Sequence, residues 1–415
     1  MTLPISRHTP PLMQEKETKT PDIPVRVIVF GADNYNTLGV LRSLGKCGFD
    51  LMLLVNGKKG CAASASKYCH RCVEGGSNDG GVDYLIANYP ETDDPRLRPV
   101  VIPGGDGASL ALARRYDELK NRFHLMITAD PQTIIRVTDK NEMIKIATRA
   151  GLNVPSSQAY RVGCTDITVP FPAILKPCQT HGRTEFQARK LKNPGQLLKL
   201  NKLLNKDNTY ILQKYVQKTN DVSVYGCRLP DGRTILAGAY VMDRYSDDGG
   251  GSHGIVSPEL PECIDPEPIK RFLDIIDYHG LFSAEFGLED GVAYFYEFNL
   301  RNDGFTHLTY QGGANLPLQW VNAVLGLGLD VSEKMDGPRF CTHEIYDITN
   351  VLKGHISYKK YKEQKKQAGV FYFYDPEDLR PYKNMKHRMW WEIPLRAALR
   401  FPRPFIVWCF NKLHI

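Results

Sequence analysis

The chain has 415 residues, 42% hydrophobic and 24% charged, enough apolar content for two to four domains, and no apolar run approaches the ~20 residues that would cross a bilayer. Its net charge of +7 is concentrated at one end: Asp330 to Ile415 holds 16 Lys and Arg against 10 Asp and Glu, so the body is nearly neutral, without the basic, aromatic-laced stripe that a nucleic-acid substrate would demand. Ten scattered cysteines form no small-domain disulfide framework and fit a reducing compartment, expected to be the cytoplasm; Cys69-His70-Arg71-Cys72 lacks a second ligand pair and reads as free thiols in a loop.

Residues 1–22 are polar and proline-dotted, with no apolar stretch of a secretory leader, and are expected as a disordered tail. Val25 to Phe30 is a β-rich run ending at Gly31, Leu38 to Lys46 a helix closed by Gly48, and Leu51 to Val55 a second buried strand. Strand, helix, strand at this spacing is a parallel βαβ unit. Its first turn, Gly31-Ala32-Asp33-Asn34, lacks the G-x-G-x-x-G pattern that lets backbone close on a pyrophosphate. Asp33, Asn34 and Asn36 can face a polar substrate at the carboxyl end of the strand, or simply form the turn through their side chains. Strands at Pro99 to Ile102 and His124 to Thr128, around a helix from about Ala108 to Asn121, extend this α/β domain over 23–135.

A helix opens at Thr138-Asp139-Lys140, capped by Asp139 with Glu142 three residues on, closed by Gly151, and buried along Met143, Ile146, Ala147 and Ala150. Lys140 in its first turn is electrostatically awkward unless an anion lies beside it. Ala173-Ile174-Leu175-Lys176-Pro177 is a strand ending in a lysine, followed by a polar loop from Cys178 to Thr184; a lysine there can reach nucleotide phosphates, and a plain turn is the competing reading. Tyr210 to Val216 is strand-like; free backbone at Gln213, Lys214, Tyr215 and Val216 could pair with adenine and Asp221 with ribose hydroxyls, or the run is ordinary sheet. Beyond Arg244, Ser246 to Gly254 reads as a flexible loop, carrying Ser252 and His253, that either folds over substrate or merely connects.

Phe282 to Leu288 and Phe295 to Arg301 each alternate polar and apolar residues around Glu289-Asp290-Gly291, a hairpin signal. On the second strand Glu297, Asn299 and Arg301 share one face. Glu285 meets Glu297 across the hairpin only if the loop has an odd length, such as 290–292; a two-residue Asp-Gly turn would put them on opposite faces. With the odd loop, two carboxylates and an amide oxygen gather as hard ligands suited to Mg²⁺, and Arg301 supplies a fixed cation for a transferring phosphate. An outer strand face that merely carries charge is the alternative. Asn302-Asp303-Gly304 turns the chain, and Leu316 to Leu325 is a closing helix.

Taken in this order, the residues over about 25–330 resemble the ATP-grasp superfamily of carboxylate-amine ligases. The resemblance implies a mixed α/β and α+β fold: an N-terminal Rossmann-like (pre-ATP-grasp) domain, then two ATP-grasp lobes at 136–208 and 209–330. It implies that Lys140 and Lys176 contact ATP phosphates, that 213–216 hold adenine between the lobes, that Glu285, Glu297 and Asn299 bind two Mg²⁺ (or Mn²⁺ in its place), and that Arg301, with Lys176 and Arg244, serves catalysis. Asp33, Asn34, Ser252, His253 and Gly304 are candidate substrate contacts. Asp33-Asn34 to Arg42-Ser43, with Glu285-Phe286, looks most like the D-aspartate ligase type of cell-envelope and capsule enzymes. Gln213 stands where the family often has Glu, and the loop after Lys176 has fewer glycines than usual.

The implied reaction makes an acyl phosphate from a carboxylate and ATP, and an amine then displaces phosphate; its first step joins two anions and needs charge neutralisation more than covalent help. The expected partners are small-molecule carboxylates and amines; a homodimer stays open. A catalytically silent ATP-binding module with a recruiting tail, and a phosphotransferase on the same fold, are the alternatives. Residues 331–415 fall outside the resemblance: Lys353 to Lys366 reads as a solvated basic helix, and the arginines and aromatics of 387–415 either pack on the body or touch an anionic membrane surface, which would make the protein membrane-peripheral.

Overall fold

A computed structural model describes residues 26–178, 188–246 and 249–400. The N-terminal tail, the loop after Cys178 and the aromatic tail beyond residue 400 lie outside the described residues. The first unit runs β1 (Arg26–Gly31), α1 (Tyr35–Gly45), β2 (Asp50–Val55), β3 (Arg71–Glu74), α2 (Asn78–Asn88), β4 (Val100–Pro103), α3 (Asp106–Arg114), α4 (Tyr116–Leu119) and β5 (His124–Leu125). These five strands are parallel in the order β3-β2-β1-β4-β5. Val27 to Phe30 and Leu51 to Leu54 are buried on both faces, which is why they read as unbroken apolar runs rather than alternating ones. Strand order reverses between β1 and β4, so the turns after these two strands, 31–34 and 103–105, share the crevice in which such sheets bind ligands.

The expected strand over His124 to Thr128 is two. β5 pairs with β4, whereas β6 (Ile127–Thr128) pairs with a strand 150 residues later in the chain. Met126 between them is buried, and its sulfur accepts the Leu281 N–H. α5 (Pro131–Val137) then leads to α6 (Lys140–Ala150), whose ends are as expected: the Asp139 carboxylate accepts the N–H groups of Asn141 and Glu142, and Gly151 takes the left-handed conformation at φ 87°.

A four-stranded antiparallel sheet follows, β7 (Ser157–Tyr160), β8 (Ala173–Pro177), β9 (Arg189–Leu191) and β10 (Tyr210–Lys214) in the order β7-β10-β8-β9, with α7 (Pro194–Leu200) on it. The third sheet holds β11 (Asn220–Arg228), β12 (Thr234–Tyr245), β13 (Gly251–Ser257), β14 (Tyr278–Glu289) and β15 (Val292–Asn299), with α8 (Pro266–Ile276) packed on one face. α9 (Thr306–Gln311) and α10 (Leu316–Leu325) follow, α10 with the expected bounds.

The chain beyond 330 is woven into this body. β16 (Arg339–Thr342) pairs with β13, and after α11 (Glu344–Leu352) and the basic α12 (Tyr358–Gln367), β17 (Val370–Phe371) pairs with β16; α13 (Leu379–Arg400) ends the described chain. The Glu344 carboxylate accepts the N–H groups of Tyr372, Phe373 and Tyr374. Residues 373–378 then clamp α1: the fully buried Arg42 donates to the Phe373 carbonyl and to the Asp378 carboxylate and carbonyl. Among the described residues no helix is long and apolar enough to cross a membrane.

Candidate active site

The β14–β15 hairpin turns through Asp290 and Gly291, both with positive φ (51° and 77°), the two-residue turn that matches strand twist. The expected odd-length loop is therefore absent. Near the turn Glu289 faces Val292 and Phe286 faces Phe295, and an unbroken ladder would then set Glu285 against Tyr296. Instead the strand bulges at Tyr296, and Glu285 faces Glu297, Ala284 faces Phe298 and Ser283 faces Asn299. One extra residue in the strand does what one extra residue in the loop would have done. Phe286, Phe295 and Phe298 point into a core with Phe272 and Phe282, and the two glutamates point away from it.

A chain of contacts runs along that polar face. Asn299 Nδ2 donates to Glu285 Oε1 (2.8 Å) and to Ser283 Oγ (3.1 Å); Arg301 Nη2 donates to Asn299 Oδ1 (2.9 Å), and its Nε to Asp106 Oδ1 (2.9 Å) at the start of α3. From α6, Lys140 Nζ reaches Glu297 Oε2 at 3.0 Å, which supplies the anion its place in a first helical turn calls for. Lys176 Nζ lies 3.3 Å from Gln213 Oε1 and 5.4 Å from the Tyr296 ring centre, so the bulge residue is also the ring over this lysine.

Burial, then the charges of Glu297 and Asp303, push the Glu285 carboxyl up to about 8. Burial also works against ionisation of Glu297, but the charge and hydrogen bond of Lys140 outweigh it and hold that carboxyl below its usual range. Burial, with Lys140 nearby, pushes Lys176 down to about 8. Two facing carboxylates, one resisting ionisation because of its burial and then because of the other's charge, are a donor set that a divalent cation would relieve. Asn299 fits less directly, because its oxygen is held by Arg301. Among the described residues no three His, Cys, Asp or Glu side chains are arranged around a common point, so ligand oxygens would have to complete the shell.

No family model matches the sequence, and no curated protein does. Solved structures do. N5-carboxyaminoimidazole ribonucleotide synthetase from Thermus thermophilus aligns with TM-score 0.59 and 18% identity over 76% of this chain and 82% of that one. Biotin carboxylase from Campylobacter jejuni gives 0.58 and 17% over 76% and 74%, and L-amino acid ligase from Bacillus licheniformis 0.54 and 12% over 73% and 75%. The fold is that of the ATP-grasp ligases.

On this ATP-grasp fold the other expected residues divide. Strand β10 is internal, between β7 and β8, and the N–H groups of Lys214 and Tyr215 are spent on Ser156 and Pro172 carbonyls, so the expected free edge is much reduced. Lys214 pairs with Glu289 at 2.8 Å, and Val216 is buried. Gln213 is buried and donates to Ser157 Oγ. Asp221 keeps one oxygen, Oδ1, buried and without a partner, which suits an acceptor for a ligand hydroxyl; Lys218 holds the other.

Arg244 is occupied elsewhere: its guanidinium pairs with both Asp347 oxygens (2.9 and 2.7 Å) and Gln364 Oε1 (2.8 Å) from the C-terminal segment. Ser252 and His253 are not on a flexible loop. They lie in β13, an inner strand, buried, with Ser252 accepting from Asn350 and His253 Nδ1 2.7 Å from Asp243. The turn-forming reading fits Asn34, whereas the Asp33 side chain reaches a different loop. The Asp33 carboxylate accepts the N–H groups of Gly60 and Ser64, and Asn34 caps α1 in a capping box with Thr37.

Gly304 lies where the N-terminal unit meets the segment that follows β15. A Cβ there would stand 2.3 Å from the Tyr35 ring, and next to it Asn302 Nδ2 donates to the Asn36 carbonyl at 2.8 Å. Sequence reasoning missed Asp106 and took Asp303 for a turn residue. The signal for Asp106 was Gly104-Gly105-Asp106-Gly107 directly after a buried strand; that it holds Arg301, 195 residues away, only the fold reveals.

Proposed function

We propose that the chain is an ATP-dependent carboxylate-amine ligase: it activates a carboxylate as an acyl phosphate and joins it to an amine, releasing ADP and phosphate. The observation that carries this reading is the Glu285–Glu297 pairing, with Asn299 and Arg301 on the same face and Lys140 from α6 and Lys176 from β8 converging on it. Similar folds were solved with ADP or ATP bound. Glu285 and Glu297 would hold Mg²⁺, with Asn299 turning its oxygen from Arg301, and the ion would supply positive charge against the developing negative charge of the phosphates. Lys140 and Lys176 add fixed charge around the phosphates, and Arg301, held rigid by Asp106 and Asn299, presents a cation to the phosphoryl group in transfer. The Asp221 oxygen takes the ribose, and the backbone of 213–216 that the bonds to Ser156 and Pro172 leave over, the Val216 N–H among it, takes the adenine.

A small amino acid or a cell-envelope precursor is the substrate to which the narrower likeness points. Arg42, part of that likeness, is used up in clamping α1 to residues 373–378 and does not reach the site. The test is a phosphate-release screen of amino acids and dipeptides with ATP and Mg²⁺, with product masses measured. Substrate-dependent ADP release that Glu297→Gln abolishes, together with a condensed product, supports ligation. ADP release equal with and without an acceptor, or none at all, defeats it.

A further inference from the structure

Asp303 stands at the turn between β15 and α9, beside Arg301 and close enough to Glu285 for the two carboxylates to repel. Its Oδ1 accepts the Phe305 N–H at 3.0 Å, an ordinary helix-entry bond. Its Oδ2 is buried and has no hydrogen-bond partner, in a residue only 7% exposed. The neighbouring cation does not supply one: Arg301 gives its Nε and Nη2 to Asp106 and Asn299 and its Nη1 to the Asn302 carbonyl. The Ser283 hydroxyl, which accepts from Asn299 Nδ2, is close enough to favour the charged form of Asp303, against its burial. Beside Asp303 is a cavity of about 10 Å³ lined by Arg301, Asn302, Thr306 and Tyr225, whose hydroxyl is likewise buried and unpartnered. That is room for one water-sized group, which is also the size of an amine nitrogen with its hydrogens. A carboxylate oxygen and a hydroxyl left unpartnered on one such space can both be satisfied by a donor that enters it.

We propose that Asp303 receives the amine substrate, its Oδ2 accepting a hydrogen bond from the ammonium and then taking one of its protons. This rests on the ligase reading above. An amine reaches the site protonated, and its nitrogen has no lone pair to attack with until a base removes a proton. Asp303 Oδ2 takes that proton. The freed pair forms the C–N bond to the acyl carbon, the C–O bond to phosphate breaks with its electrons going to phosphate, and the second nitrogen proton leaves with the departing phosphate. Placement agrees with this order of events: Asp303 lies close enough to Glu285 for their charges to interact, and its neighbour Asn302 joins the N-terminal crevice through Asn36.

The test separates the two half-reactions. Hydroxylamine is largely unprotonated at neutral pH, so it captures an acyl phosphate as hydroxamate without needing a base. With ATP, Mg²⁺ and each amino acid as carboxylate, hydroxamate and amide products are measured for the wild type and Asp303→Asn, whose side-chain oxygen can still accept at Phe305. The ratio of hydroxamate to amide should rise about a hundredfold or more in the variant, as loss of a base predicts, and Asp303→Glu should bring it back toward wild type. Should the Asn variant not fold, Asp303→Ser is read in the same way. An unchanged ratio, whether both products persist or both fall together, overturns the proposal, since a retained water or a purely structural carboxylate would give that result. A wild-type chain that makes no hydroxamate with any carboxylate defeats the ligase reading itself, and this inference with it.

Discussion

Glu285→Gln should make the metal-free protein more stable at pH 8.5 while removing its ATP-dependent turnover. The folded protein holds the Glu285 proton up to about 8, against 4.5 for a free glutamate. A carboxyl whose folded value is raised leaves stability intact below pH 4.5, erodes it as pH rises through 4.5 to 8, and imposes its full cost above 8. At about 1.4 kcal/mol per pH unit that interval sets a ceiling of about 5 kcal/mol. The side chain is only partly buried and Glu297 is compensated by Lys140, so about 2 kcal/mol is the expected cost. A glutamine keeps the shape and can still accept from Asn299 Nδ2, while the charge disappears. The assay is urea unfolding in EDTA at pH 5.5 and 8.5. The variant's midpoint should exceed the wild type's at the higher pH and approach it at the lower, and added Mg²⁺ should stabilise the wild type more than the variant. A variant that is less stable at both pH values, or more stable by the same amount at both, would refute the argument that the two facing carboxylates repel.

Two further outcomes follow from the same charges and from the C-terminal clamp. Lys176, held down to about 8, loses its charge as pH rises, so if its ammonium holds phosphate the dissociation constant for ATP should climb about tenfold per pH unit above 8, and Lys176→Met should bind more weakly at pH 7 with that slope removed; binding titrations from pH 7 to 9.5 decide it. Arg42→Met strands the buried Asp378, which otherwise receives Arg42 Nε at 3.0 Å, and should cost about 3–5 kcal/mol in urea unfolding, whereas a change under 1 kcal/mol would show that residues 373–378 do not clamp α1.

What could be read from the sequence was what is local. The βαβ opening, the caps of α6 and the bounds of α10 follow from periodicity and end signals a few residues apart. What could not be read depends on partners far along the chain. Nothing near Arg244 announces Asp347, and nothing near Arg301 announces Asp106. Likewise β6 leaves the parallel sheet at Met126 because its partner is Tyr278–His279, and β13 is a strand rather than a loop because β16 arrives to pair with it.

The acidic pair is the instructive case, since its alignment was anticipated by a route the chain does not take. Counting residues from the turn assumes an unbroken ladder, and with Asp290-Gly291 as the turn that count puts Glu297 on the phenylalanine side. The bulge at Tyr296 repairs the count, and its trace was present in the sequence as Gly287, a glycine inside an otherwise well-filled strand. A Cβ at that position would lie 1.9 Å from the Tyr296 hydroxyl. The glycine leaves room for the tyrosine to lie across the neighbouring strand, and the tyrosine, as the supernumerary residue, returns Glu297 to the face of Glu285 and sets a ring over Lys176. A side chain at Gly287 would therefore act on two charges it never touches, through the alignment of the strand that carries one and the ring that covers the other.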